Sequence, residues 1–140
     1  MGSLLALEHA SVAAYGACLE VLDGRARTEI EAIRAQDRAH ATALEQLIAG
    51  LGGDPPPGRS AEEYARTFPR LRTSADALRF AQDLEERQVR AYLEALADLP
   101  DRDLRNAAAA ACGDEANHLA TARVLQGLPA AEGPFVTGAL

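Results

Sequence analysis

The sequence predicts an all-α protein, an antiparallel four-helix bundle built as two αα-hairpins. Three observations carry that prediction. Ala and Leu dominate an apolar fraction of 48%, Trp is absent, and Glu and Arg are abundant, a composition that favours helices over strands. Apolar residues recur at helical spacing in four segments, each closed by turn chemistry. The first and second segments are joined tightly, as are the third and fourth, whereas a long crossover over residues 52–73 separates the second from the third. A chain of 140 residues is expected to form one domain spanning 1–140.

The first helix is expected over about 3–22, stopping at Asp23-Gly24, and the second over about 25–51. The second stops at "GGDPPPG", where glycines and prolines forbid continuation. The crossover carries Tyr64, Phe68 and Leu71 as apolar anchors, so it should pack along the bundle with one short helical turn near "AEEYAR". Its length is uncommon inside compact domains. The third helix is expected over about 74–99, with Thr73 or Ser74 as its cap and Pro100 beyond its end. The fourth is expected over about 101–127, capped by Asp101 and fading at "QGLP". The Gly-rich tail, 128–140, should be extended.

Charge and composition exclude several classes of function. A net charge of −7 leaves no basic face for phosphate backbones or anionic lipid, so neither nucleic acid nor membrane is an expected partner. No run of eighteen apolar residues occurs, and the N-terminus lacks the basic-then-apolar order of a signal peptide. A cytoplasmic location is expected, with the opening "MGS" compatible with a leader having been removed. Cys18 and Cys112 are too few for a disulfide framework and are expected as small buried thiols.

The core stripe of every helix is interrupted by an ionisable residue. At alternating steps of three and four, helix one gives Leu5, Glu8, Val12, Tyr15, Leu19 and Leu22, and helix two gives Ile30, Ile33, Asp37, His40, Leu44, Leu47 and Leu51. Helix three gives Leu78, Gln82, Glu85, Val89, Tyr92, Leu96 and Leu99; helix four gives Leu104, Ala108, Ala111, Glu115, His118, Ala122 and Leu125. Any one of these acids alone would read as a solvated or salt-bridged side chain. Their heights argue jointly. At about 1.5 Å per residue from the hairpin turns near Gly24 and Pro100, Glu8, the Asp37/His40 pair, Glu85 and the Glu115/His118 pair all lie about 20–27 Å down their helices.

Four carboxylates and two imidazoles in one apolar layer would each cost several kcal/mol if left unpaired. No seam position carries Lys or Arg. Two divalent cations would balance the four carboxylates and leave neutral imidazoles to complete the coordination, so the layer asks for two metal ions. An internal repeat points the same way. "LEHASVAAY" (7–15) matches "LEERQVRAY" (84–92) at the Leu, Glu, Val, last Ala and Tyr positions, and "DRAH" (37–40) corresponds to "EANH" (115–118). Each half supplies one glutamate and then an acid-x-x-His pair. Glu86, Asp114 and His9 fall outside the seam and are expected at the surface.

On these residues the chain resembles the ferritin-like superfamily of carboxylate-bridged dimetal proteins, in which two helices each give a Glu and two give Glu-x-x-His. More narrowly it resembles small bacterial ferritin-like domain proteins with "LEH…Y", "H/Q-(E/D)-x-x-H" and "LE…Y" segments, over Leu4 to about Leu128. The resemblance implies Glu8 and Glu85 as terminal ligands, His40 and His118 as terminal nitrogen ligands, and Asp37 and Glu115 as bridges. Asp37 departs from the usual Glu and is one methylene short, which implies an asymmetric site or one weakly held metal. Tyr15 and Tyr92 are core residues with a weaker reading as groups reaching the ligands through water.

Carboxylate and imidazole donors suit Fe or Mn, with Fe ahead of Mn. The resemblance implies a dimetal oxidoreductase acting with dioxygen or peroxide: Fe(II) oxidation, peroxide removal or substrate oxidation. The alternative is a non-catalytic ferritin-like metal-binding or interaction module. Haem with Met ligation is not expected, because Met1 is the sole methionine, and two cysteines cannot build a rubredoxin-like iron site. A storage cage is not expected without a fifth helix. A homodimer is compatible with this reading.

Overall fold

The computed structural model describes residues 1–134 and 136. Among them are five helices and no strand: α1 (Gly2–Cys18), α2 (Gly24–Gly50), α3 (Ala61–Ala65), α4 (Ser74–Asp98) and α5 (Arg102–Leu125). None is long and apolar enough to cross a membrane. The chain divides into two compact units, Met1–Phe80 and Ala81–Leu140, with the boundary inside α4.

In the first unit α1 and α2 form an antiparallel hairpin, fastened at successive heights by side chains. The Arg27 guanidinium donates to the Leu19 carbonyl, Arg34 Nε donates to the Val12 carbonyl at 3.0 Å, and His9 meets Glu45 at 3.5 Å. Helix α1 ends at Cys18, four residues before the expected Leu22. Its last turn tightens instead, with Glu20 N–H bonded to the Ala17 carbonyl and Val21 N–H to the Cys18 carbonyl. Such turns rise about 2 Å per residue, so the segment still spans the height an α-helix would have covered and still buries Leu19 and Leu22.

Helices α2 and α5 both end where a glycine takes a positive φ, Gly52 at 79° and Gly127 at 76°. The following N–H reaches back five residues, from Gly53 to Ile48 and from Leu128 to Arg123, closing the orphan carbonyls of the last turn. The crossover then docks on α1 through α3. A capping box starts α3, Ser60 Oγ accepting from Glu63 N–H while Glu63 accepts from Ser60 N–H at 2.9 Å. Tyr64 is buried and stacks on Phe68, which meets Phe80 with ring centres 5.5 Å apart. The expected short turn and aromatic anchors are therefore both present.

Thr73 is the cap of α4: its Oγ1 accepts from Asp76 N–H at 3.1 Å and Asp76 accepts from Thr73 N–H at 3.0 Å. Ser74, the alternative cap, donates to the Val21 carbonyl and ties the start of α4 to the first hairpin. In the second unit α4 and α5 run antiparallel, Cys112 Sγ lying 3.9 Å from the Val89 carbonyl and Gln126 donating to Gln82 at 2.9 Å. Asp101 caps α5 as expected, accepting from the N–H groups of Asp103 and Leu104. Of the tail, Phe135 and 137–140 lie outside the described residues.

Several seam positions depart from the heptad reading. Leu51 is 65% exposed, and Val12, Leu47, Gln82, Leu96, Ala111 and Leu125 are only half-buried. A straight α-helix drifts by about 20° per heptad from a 3.5-residue repeat, so the true buried face moves to Ala41 in α2 and Leu119 in α5.

Candidate metal centre

The first half of α1 and the middle of α2 present one cluster. Glu8 and Asp37 are fully buried, and His40 Nδ1 lies 3.8 Å from Glu8 Oε1. Each of Glu8, Asp37 and His40 offers a ligand atom within 4.8 Å of the others. All three were singled out by the periodicity, because each breaks an apolar stripe where burial would otherwise demand Leu or Ala.

The second unit repeats the arrangement. Glu85 and Glu115 are fully buried and His118 is 3% exposed. His118 Nδ1 lies 3.8 Å from Glu85 Oε2, the distance found between His40 and Glu8, and 3.0 Å from Glu115 Oε2. Glu85, Glu115 and His118 likewise bring ligand atoms within 4.8 Å of one another. In each unit it is the same ring nitrogen that faces the glutamate one helix away.

Both clusters fit a cation on the chemistry of their donors. Each places two carboxylates and one imidazole nitrogen in a volume one ion could fill, inside a shell of apolar residues. Iron(II), manganese(II) and similar ions accept that oxygen and nitrogen set. Burying two carboxylates so close together costs of the order of several kcal/mol per ion unless a positive charge sits with them. Cys112, one turn before Glu115, registers the local field: burial and then the Glu115 charge push its thiol above the ordinary range. Cys18 is pushed up to about 12 by burial. Cys18 is the buried thiol expected, but Cys112 is only half-buried.

Tyr15 and Tyr92 are buried, at 0% and 1% exposure, two turns along their helices from Glu8 and Glu85. Periodicity missed two further polar residues. Ser11 and Gln88 are fully buried one turn after Glu8 and Glu85, and they occupy equivalent places in the repeat. The repeat alignment itself could have found them, since "EHAS" lies over "EERQ". Arg123 is also buried, an arginine where none was expected, but it is engaged with the tail through Glu132 at 2.7 Å and the Pro129 carbonyl at 2.8 Å. Asp114 is exposed as expected, and Glu86 is half-buried, accepting from Gln82. His9 is not solvent-facing: its ring lies under Gly58 of the crossover and beside Glu45.

Comparison with known proteins now adds to this geometry. The structure is similar to the crystal structure of a conserved hypothetical protein, rv2844, from Mycobacterium tuberculosis, with a TM-score of 0.80. The two are 18% identical, and the likeness covers 89% of this chain and 92% of that one, which shows a shared all-helical fold. No curated protein sequence matches the chain significantly. Residues 2–128, which include both clusters, match the family model of the ferritin-like domain, and the chain belongs to that family.

Proposed function

We propose that the side chains of the two clusters bind two divalent metal ions, iron in preference to manganese, and that the protein is an oxidoreductase acting with dioxygen or peroxide. The observation that carries this reading is one geometry made twice: a fully buried glutamate 3.8 Å from a histidine Nδ1, with a second fully buried carboxylate one turn before that histidine. Membership of the ferritin-like family supports it.

In this reading Glu8 and Glu85 would hold metal as terminal carboxylate ligands, His40 and His118 as terminal nitrogen ligands, and Asp37 and Glu115 as carboxylates shared by both ions. The four carboxylates would bring four negative charges and neutral imidazole ligands none, so two divalent ions would balance the set. Bound metal would supply the electrons that dioxygen or peroxide accepts. The chain's own residues orient the donors and exclude water. Tyr15 and Tyr92 are buried two turns along their own helices from Glu8 and Glu85, and Ser11 and Gln88 stand one turn from the same glutamates as polar neighbours.

Adding Fe(II) aerobically to the protein tests the oxidoreductase. Oxygen uptake with a new near-ultraviolet band is expected, and both should vanish in Glu115→Ala. Metal binding without oxygen uptake would favour the non-catalytic module, a reading that the short side chain of Asp37 keeps in view.

A further inference from the structure

We propose that the cleft between the C-terminal half of α1 and the N-terminal half of α2 binds a phosphate-class oxyanion, held between the guanidinium groups of Arg34 and Arg38. The cleft has a volume of about 520 Å³ and is open to solvent. Arg27, Glu31, Arg34 and Arg38 line it from α2 at steps of four, three and four, a single stripe of the helix.

The charges in this stripe are not equivalent. Arg27 is committed, its Nε 3.1 Å from Glu31 and its terminal nitrogen bonded to the Leu19 carbonyl. Arg34 and Arg38 stand one turn apart, and among the described residues neither has a carboxylate within ion-pair distance. A like-charged pair at this spacing destabilises a helix. The chain carries 21 acidic residues against 14 basic ones, so a single carboxylate placed beside the pair would have relieved it. An anion in the cleft does the same.

Arg34 is held ready for such a ligand. Its Nε donates to the Val12 carbonyl at 3.0 Å, which fixes the guanidinium and leaves its two terminal nitrogens for a second partner. One of them lies 3.1 Å from where a Cβ on Gly16 would stand, so glycine at that position makes the room the guanidinium occupies. Burial, and then the charge of Arg38, hold the Arg34 guanidinium below its ordinary range. Two planar donor forks side by side match the oxygens of a phosphoryl group.

The walls also limit the ligand. Glu20 faces the cleft from the α1 side, which disfavours a second phosphoryl group and selects a monophosphate over a polyphosphate. The volume exceeds that of the ion alone and leaves Leu19 as an apolar contact for an ester group. Inorganic phosphate and a phosphate monoester are the two sources of this chemistry.

Calorimetric titration of the purified protein with inorganic phosphate and with phenyl phosphate, in a buffer free of phosphate, tests the proposal. Saturable binding of one ion per chain is expected. R34Q/R38Q should weaken it by about tenfold or more, the worth of at least one charge-assisted hydrogen bond. Arg25→Gln, which alters a pair with Glu29 outside the cleft, should leave affinity unchanged. Tighter binding of phenyl phosphate identifies a monoester as the ligand and equal affinity identifies free phosphate; both support the site. Absence of saturable binding by either probe overturns it, as does undiminished affinity in R34Q/R38Q. Glu115→Ala should bind phosphate as the unaltered protein does; lost affinity there would put the ion at the metal cluster and also overturn the proposal.

Discussion

In the first unit the acid of the acid-x-x-His pair is Asp37, and the His40 side chain keeps 13% of its surface accessible. In the second unit the acid is Glu115, its Oε2 lies 3.0 Å from His118 Nδ1, and the His118 side chain keeps 4%. The polar residue one turn after the terminal glutamate follows the same trend, Ser11 in one unit and Gln88 in the other. A duplicated pattern has thus been filled with shorter side chains in one copy than in the other. Shorter donors reach less far and leave more room, so the second cluster should hold metal more tightly than the first.

The largest effect should come from breaking the tighter half. Glu115→Ala or His118→Ala is expected to weaken metal binding by more than about 100-fold, since even partners outside the coordination shell cost about 10–100-fold. Far-UV circular dichroism should show the alanine-rich α5 still folded. The converse change sharpens the comparison: Asp37→Glu should bring the first cluster toward the second and raise its metal occupancy, read by competitive titration with a chromophoric chelator. Without metal, the added methylene at a fully buried position should cost about 1–3 kcal/mol in denaturant unfolding.

The thiols contrast the two units by burial. Cys112, half-buried, should react with a thiol reagent in the folded protein, and Cys18 only on unfolding. Burial raises the Cys18 thiol from 9.0 to about 12, so above pH 9.0 the unfolded chain binds fewer protons than the folded one. Stability should therefore fall as pH rises between those values, by up to roughly 1.4 kcal/mol per pH unit, a slope that Cys18→Ala should lack. The smallest effects belong to the caps. Thr73→Ala at α4 and Asp101→Ala at α5 should each lower stability by about 1 kcal/mol without changing metal content.

The burial of Glu8, Asp37, Glu85, Glu115 and His118, with His40 beside Glu8, was legible in the sequence because each stands in an apolar stripe that faces the core. The early end of α1 was not legible. Asp23-Gly24 reads as a stop for the first helix, yet Asp23 precedes α2 and Gly24 opens it, while nothing at Leu19 announces a turn. Ser11 and Gln88 escaped because small and amide side chains are ordinary on either face of a helix, and only their equivalence in the repeat marks them. His9 and Arg123 escaped because their partners, Glu45 and Gly58 for one and Glu132 for the other, are set by tertiary packing rather than by the helix that carries them. The Arg34 and Arg38 stripe was not legible either, because Gly16 and the Val12 carbonyl lie against Arg34 only through the packing of α1 on α2.

Metal content per chain, measured by elemental analysis after loading with Fe(II) or Mn(II) and removal of free metal, tests the central claim most directly. Two ions per chain in the unaltered protein, falling to background in Glu115→Ala and His118→Ala, is the predicted result. Background metal in the unaltered protein, or undiminished metal in those variants, would contradict it.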